Sequence, residues 1–77
     1  MYTVYALKSK IKKYIYVGMT QNFDQRIRRH NNGYEKTTKP YKPFKLIHRE
    51  VYPSRIEARK REKYLKSGVG KEFLKSL

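Results

Sequence analysis

The chain has no cysteine and only six acidic residues among its 77. Without cysteine there is no disulfide scaffold, no thiolate zinc site and no cysteine nucleophile. Uncharged runs fall far short of the ~18 apolar residues of a membrane span. The N-terminal apolar stretch breaks at Lys8, too early for a signal peptide. Internal repeats and low-complexity tracts are absent as well. These absences predict a soluble, cytoplasmic chain. Its length predicts one small domain, 1–77. At about 60 residues, folding buries only about 60% of the unfolded surface, so a chain of this size encloses a single core. No second domain is expected to hold a cofactor or dock a separate substrate.

What the chain has is positive charge. Twenty lysines and arginines give a formal charge of +14. A basic tail without structure would be poor in aromatics, which such segments cannot bury. Here aromatics are 14% of the chain and eight of them are tyrosine, which points to a folded domain. A folded, basic, tyrosine-rich domain calls for a polyanionic partner, with nucleic acid first and an anionic membrane surface second.

Tyr2 to Leu7 and Tyr14 to Met19 read as strands, joined through a polar loop at Lys8 to Lys13. That loop length predicts Tyr5 opposite Tyr16, with both phenols on one face and Val4, Ala6, Ile15 and Val17 on the other as core. Gly18 is expected to end the second strand near Thr20 and Asn22, either of which suits a helix N-cap. A helix over Phe23 to Asn31 follows, closed by Asn32-Gly33. On it Phe23, Ile27 and His30 share one face with Arg26 beside them, while Arg28 and Arg29 point to solvent. An inward arginine and histidine need an explanation, because unpaired buried charge is expensive.

Asn32 to Pro43 is a loop carrying Lys36 and Lys39. Phe44 to Tyr52 predicts a third strand carrying Leu46, Ile47 and Val51. Ser54-Arg55-Ile56-Glu57 has the form of a capping box. The helix it opens is expected to reach Ser67 with Gly68 as its stop, and Val69 to Leu77 to add a last short helix. The order β-β-α-β-α(-α) is that of a small α/β or α+β domain around three strands.

Arg55, Arg59, Lys63 and Lys66 fall on one side of the second long helix. Ala58, Leu65 and Val69 are expected to pack inward on another. Glu62 lies between the stripes. One reading is a helix salt bridge to Arg59 or Lys66, worth a few tenths of a kcal/mol. The other is a carboxylate for a divalent cation, since magnesium commonly takes one or two protein carboxylates and fills its octahedron with water and phosphate. His30 near a helix end has its own plain alternative, packing or capping. Arg26 has one as an ordinary acid partner, and Tyr5 and Tyr16 as half-buried strand residues.

Val4-Tyr5-Ala6 followed by Tyr16-Val17-Gly18 resembles the paired tripeptides of the GIY-YIG nuclease superfamily. The run from Tyr16 through Arg26 to His30-Asn31 is similar to its first helix. Arg61-Glu62-Lys63-Tyr64-Leu65-Lys66-Ser67-Gly68 with Gly70-Lys71 resembles the second-helix signature of its small single-domain bacterial members. The resemblance spans essentially the whole chain. It implies a small three-stranded antiparallel sheet flanked by helices and a metal-dependent phosphodiesterase site. Tyr5 and Tyr16 correspond to the motif tyrosines, Arg26 to the helix arginine, His30 to the His/Tyr position and Glu62 to the metal-binding glutamate.

The chemistry of these residue types agrees with those roles. A phenol of depressed pKa, Tyr5 or Tyr16, would take the proton of the attacking water. Arg26 would meet charge building on a phosphoryl oxygen. Magnesium or manganese at a single site on Glu62 would hold the leaving oxygen. His30 would position a tyrosine or relay a proton. The phosphate-tracking surface is expected at Arg28, Arg29, Lys36, Lys39, Arg55, Arg59, Lys63 and Lys66.

Three positions depart from the family pattern: Val4 stands for the first glycine, Met19 for a lysine found in some members, and Gly70 to Leu77 holds no asparagine. The expected function is a magnesium-dependent endonuclease acting on DNA, structure-directed or weakly specific. Phosphate contacts orient a protein but do not read bases. Branched or damaged DNA and RNA stay open as substrates, and a partner protein could deliver them to a monomer or weak dimer. The alternative is a binding module of the same fold with weak or lost chemistry. A small basic RNA-binding structural protein accounts for the charge, but not for the inward Arg26 and His30.

Overall fold

The computed structural model describes residues 1–77. Tyr2–Ser9 (β1) and Ile15–Thr20 (β2) form a hairpin, followed by the helix Phe23–Asn31 (α1). A 3-10 turn at Lys39–Tyr41 interrupts the loop before Phe44–Tyr52 (β3), and Arg55–Lys66 (α2) and Gly68–Lys75 (α3) complete the chain. The three strands make one antiparallel sheet in the order β2-β1-β3. The expected α+β order, including the last short helix, is the observed one.

Alternation along the central strand divides the interior. Val4 and Ala6 pack with Val17 of β2, Ala58 and Leu65 of α2 and Leu74 of α3. Tyr5 and Leu7 point the other way, onto Phe44 and the α1 residues Phe23 and Ile27. Helix α1 therefore covers one face of the sheet, and α2 with α3 covers the other.

The hairpin register differs from the expected one by two residues. Ser9 Oγ accepts from the backbone N–H groups of Ile11 and Lys12, at 3.2 and 3.1 Å. Ser9 N–H donates to the Tyr14 carbonyl at 2.9 Å. This tightens the loop and extends both strands, so Tyr5 stands opposite Gly18 and Tyr16 opposite Leu7. A slip by an even number leaves every side chain on its face, and the two phenols still share one. β2 also runs through Gly18 rather than ending there. A Cβ at Gly18 would lie 2.7 Å from the Tyr5 hydroxyl oxygen and 2.8 Å from Tyr16 Cε2. The phenols occupy the volume that any side chain would need.

Asn22 caps α1, its Oδ1 accepting from Gln25 N–H at 3.4 Å, while Thr20 Oγ1 accepts from Asn22 N–H at 3.0 Å. Of the β3 residues Leu46, Ile47 and Val51, only Ile47 packs against the core. The cause is a bulge: Ala6 faces His48 and Leu7 faces Leu46, which leaves Ile47 extra.

The end of α2 corrects two expectations. Ser67, not Gly68, is its stop, and Ser67 Oγ then accepts from Gly70 N–H to cap α3. Gly68 thus begins a helix. Because the chain turns at Ser67, the period of α2 does not continue to Val69, which is 67% exposed instead of packed inward. The buried positions of α3 are Gly70 and Leu74. A Cβ on Gly70 would meet the Tyr64 carbonyl oxygen at 2.2 Å, so only glycine lets α3 cross there.

Glu50 ties the edge strand β3 to α2. Its carboxylate accepts from Arg61 Nε and Nη2 at 2.8 to 3.1 Å, and also from His48 Nε2 and the Tyr52 hydroxyl. Burial alone would raise its pKa, but the bonds from Arg61, Tyr52 and His48 outweigh that and hold it at about 2. A depressed carboxylate stabilises the fold above its unfolded pKa and ceases to do so as pH falls from about 4.5 toward 2. Glu50→Gln removes the charge and turns a donor toward Arg61 or His48. The expected loss is about 2 kcal/mol at pH 7, or roughly 8–16 °C in Tm. By pH 2 the gap between the two proteins should close; a constant gap in thermal melts across pH 7 to 2 would contradict this role.

Candidate active site

Between the sheet and α1 the fold assembles four of the residues singled out in the sequence. Tyr5, at the centre of β1, is fully buried, as is His30 on the last turn of α1. The Tyr5 hydroxyl is hydrogen-bonded to His30 Nε2 at 2.9 Å. Tyr16, half-buried on β2, places its ring centroid 4.8 Å from the His30 ring and 6.2 Å from the Tyr5 ring. Arg26 lies one turn before His30, its side chain 37% exposed and facing the Tyr5 and Tyr16 phenols. Its Nη1 pairs with Glu35 at 3.2 Å, and its Nε is buried without a hydrogen-bond partner.

These positions follow from local sequence. Alternation in β1 and β2 points both tyrosines toward α1, and the four-residue spacing of Arg26 and His30 stacks them on that helix's inner side. The electrostatics follow from the enclosure. Burial pushes the Tyr5 phenol up to about 12, against the pull of Arg26. The expected depressed phenol is therefore corrected for Tyr5, whose burial disfavours the phenolate. Burial and then Arg26 push the His30 pKa down, which favours the uncharged imidazole. For Arg26, burial favours the neutral form, but the tyrosine oxygens and Glu35 outweigh it and raise the pKa.

Three contributors are not among the residues singled out in the sequence. Glu35 accepts from Arg29 Nε at 2.9 Å as well as pairing with Arg26, and the Arg29 bond holds its pKa low. It is the sole acid of the Asn32 to Pro43 loop, which was the available signal that inward Arg26 had a partner there. Thr38, fully buried, has its Oγ1 2.8 Å from His30 Nδ1; a loop threonine gives no such signal. Arg49 of β3 stands opposite Tyr5 and lays its guanidinium 4.2 Å over the Phe23 ring, with no acid partner. Its placement follows only from strand register.

Glu62 is not among this group. Its helix lies on the other face of the sheet, and its carboxylate accepts from Lys66 Nζ at 3.3 Å with Arg59 Nε at 4.0 Å. Both members of the expected helix salt bridge are thus present. No three His, Cys, Asp or Glu side chains converge anywhere in the chain. A lone carboxylate suits an ion held mostly by water and phosphate, as magnesium commonly is. The paired lysine and arginine are 52% and 58% exposed, so they can leave it at little cost. Glu62 therefore fits a cation that arrives with its phosphate.

A polar cleft of about 280 Å³ opens at Thr20, Asn22, Gln25, Arg26 and Arg29, beside the tyrosine–histidine group. Of the basic residues proposed to follow phosphate, Arg28, Arg29, Lys36 and Lys39 are exposed on α1 and its following loop. Arg55, Arg59, Lys63 and Lys66 are exposed on α2. No helix is long and apolar enough to cross a membrane.

Residues 1–74 match the GIY-YIG catalytic domain. A UPF0213 protein of Clostridium perfringens is 42% identical over 64 residues, covering 82% of this chain and 68% of that protein. One from Staphylococcus haemolyticus is 36% identical over 75 residues, covering 96% and 90%. The solution NMR structure of a UPF0213 protein from Bacillus halodurans superposes with a TM-score of 0.59 at 36% identity, over 99% of this chain and 84% of that one. With two phenols, a guanidinium and an imidazole gathered behind the paired tripeptides, the chain belongs to the GIY-YIG family, a family of nucleases.

Proposed function

We propose that this protein is a magnesium-dependent endonuclease that hydrolyses phosphodiester bonds in DNA, directed by nucleic-acid structure or weakly specific in sequence. The supporting observation is Arg26: a charged guanidinium with a partnerless Nε, set beside a tyrosine already hydrogen-bonded to His30. The Nε is sealed from solvent, but the side chain is 37% exposed, so its outer nitrogens can meet a phosphoryl oxygen.

Tyr5 is fully buried, so a reactant reaches it past the half-buried Arg26 and Tyr16. The attacking water sits against these two. Its oxygen forms the new bond to phosphorus as the bond from phosphorus to the leaving alkoxide breaks; the water's proton passes to the Tyr5 oxygen, the phenolic proton passes to His30 Nε2, and the alkoxide takes a proton from solvent. A phenol held near 12 is a poor acid alone, and the paired transfer removes the need for a free phenolate. Arg26 exchanges its Glu35 contact for the phosphoryl oxygens as negative charge collects on them. Glu62, across the sheet from this group, is the carboxylate that would hold a divalent cation, and such a cation supplies charge neutralisation to a bound phosphate.

Glu62→Gln tests this reading on plasmid and on branched or flapped DNA, with and without magnesium or manganese. Cutting should vanish while binding persists or tightens, because one negative charge has left the basic side of α2 and freed Lys66 and Arg59. Metal-dependent cutting at the wild-type level in the variant would remove the proposal. Binding without cutting by the wild-type protein would favour a pure binding module.

A further inference from the structure

His30 has both ring nitrogens against hydroxyls, Tyr5 at Nε2 and Thr38 at Nδ1. A hydroxyl can donate or accept, so these two distances leave the tautomer open. The partners at the two ends decide it. Thr38 Oγ1 donates its only proton to the Glu35 carbonyl at 3.4 Å. In that arrangement its oxygen is left to accept from His30 at 2.8 Å, which gives both contacts of Thr38 a proton and puts the shared one on Nδ1. At the other end, the buried Tyr5 hydroxyl has one hydrogen-bond partner, His30 Nε2. The Tyr5 proton is therefore directed to Nε2.

We propose that Thr38 is a positioning residue that fixes His30 as the Nδ1–H tautomer, making Nε2 the proton acceptor of the site. The inference rests on the nuclease reading for its catalytic meaning and on geometry alone for the tautomer. After transfer the ring carries both protons, and Nδ1–H still donates to Thr38, so the imidazolium forms without rearrangement of its buried partners. Without the Thr38 oxygen, a buried Nδ1–H would have no acceptor. The ring then gains by moving its proton to Nε2, where it donates to Tyr5 and blocks the transfer.

The test compares wild type, Thr38→Val and Thr38→Ser. Nitrogen-15 NMR of the histidine side chains, with His30 assigned apart from His48, should show Nδ1 protonated in wild type and in Thr38→Ser. It should show Nε2 protonated in Thr38→Val. Turnover of Thr38→Val should fall about 100-fold, the lower end for loss of a general base, with KM within about twofold of wild type. Thr38→Ser should restore most of the rate. Three results overturn the proposal: wild type protonated at Nε2, Thr38→Val still protonated at Nδ1, or Thr38→Ser as slow as Thr38→Val. If Thr38→Val does not fold, the wild-type spectrum and the serine variant decide. A wild-type protein that does not cut removes the nuclease reading, while the spectra still settle the tautomer.

Discussion

Replacing Arg26 by lysine should lower single-turnover cleavage about 10²- to 10³-fold, the range for losing one preorganised donor to a developing oxyanion. Lysine keeps the charge, so electrostatic attraction of DNA survives and binding should change little. What is lost is the planar fork that reaches Glu35 with one nitrogen while presenting another to the site. Stability should move in the opposite direction. The partnerless Arg26 Nε costs about 1–3 kcal/mol of unmade hydrogen bonding, and Glu35 keeps its bond to Arg29 in the variant. Thermal melting of Arg26→Lys should therefore be unchanged or higher. Wild-type cleavage in this variant, or a large drop in Tm, would show that the guanidinium is an ordinary structural cation.

Affinity for DNA should fall steeply with salt. For about 6–10 phosphate contacts, raising the salt from 50 to 200 mM costs on the order of 10³–10⁵ in affinity. The surface can supply contacts of this number. Arg28, Lys36, Lys39, Arg55 and Lys63 are exposed and form no ion pair. Arg29, Arg59 and Lys66 are held only by pairs at part-exposed positions, which are readily exchanged for phosphate. Neutralising any one of the eight should reduce the log–log slope by about one. Fluorescence anisotropy with a labelled duplex reads both quantities, and a flat salt response would rule out a nucleic-acid backbone as the partner.

The sequence made local relations legible and left distant ones hidden. The face shared by Tyr5 and Tyr16 could be read despite a wrong register, because a two-residue slip preserves the alternation. Arg26 and His30 could be placed together because four residues on a helix leave little freedom. The Tyr5–His30 contact joins residues 25 apart, and its geometry depends on how α1 lies on the sheet. Thr38, Glu35 and Arg49 come to the site through a loop fold and a strand pairing that no local pattern encodes. The misplacement of Val69 has a similar cause: helical periodicity gives no warning that Ser67 both ends one helix and starts the next. Glu62 had two readings in the sequence. Its contacts with Lys66 and Arg59 realise the first, while its lone-carboxylate chemistry remains suited to the second.

Gly18 contributes no functional group, yet its emptiness locates the chemistry. The missing methyl is where the Tyr5 oxygen and the Tyr16 ring edge meet, so the backbone of β2 serves as the floor of a mould cast around two phenols. A glycine facing a tyrosine on the adjoining strand thus has a concrete meaning in a sequence of this kind. It marks a phenol whose hydroxyl end reaches over the neighbouring backbone, and it shows on which side of a thin sheet to look for reacting atoms.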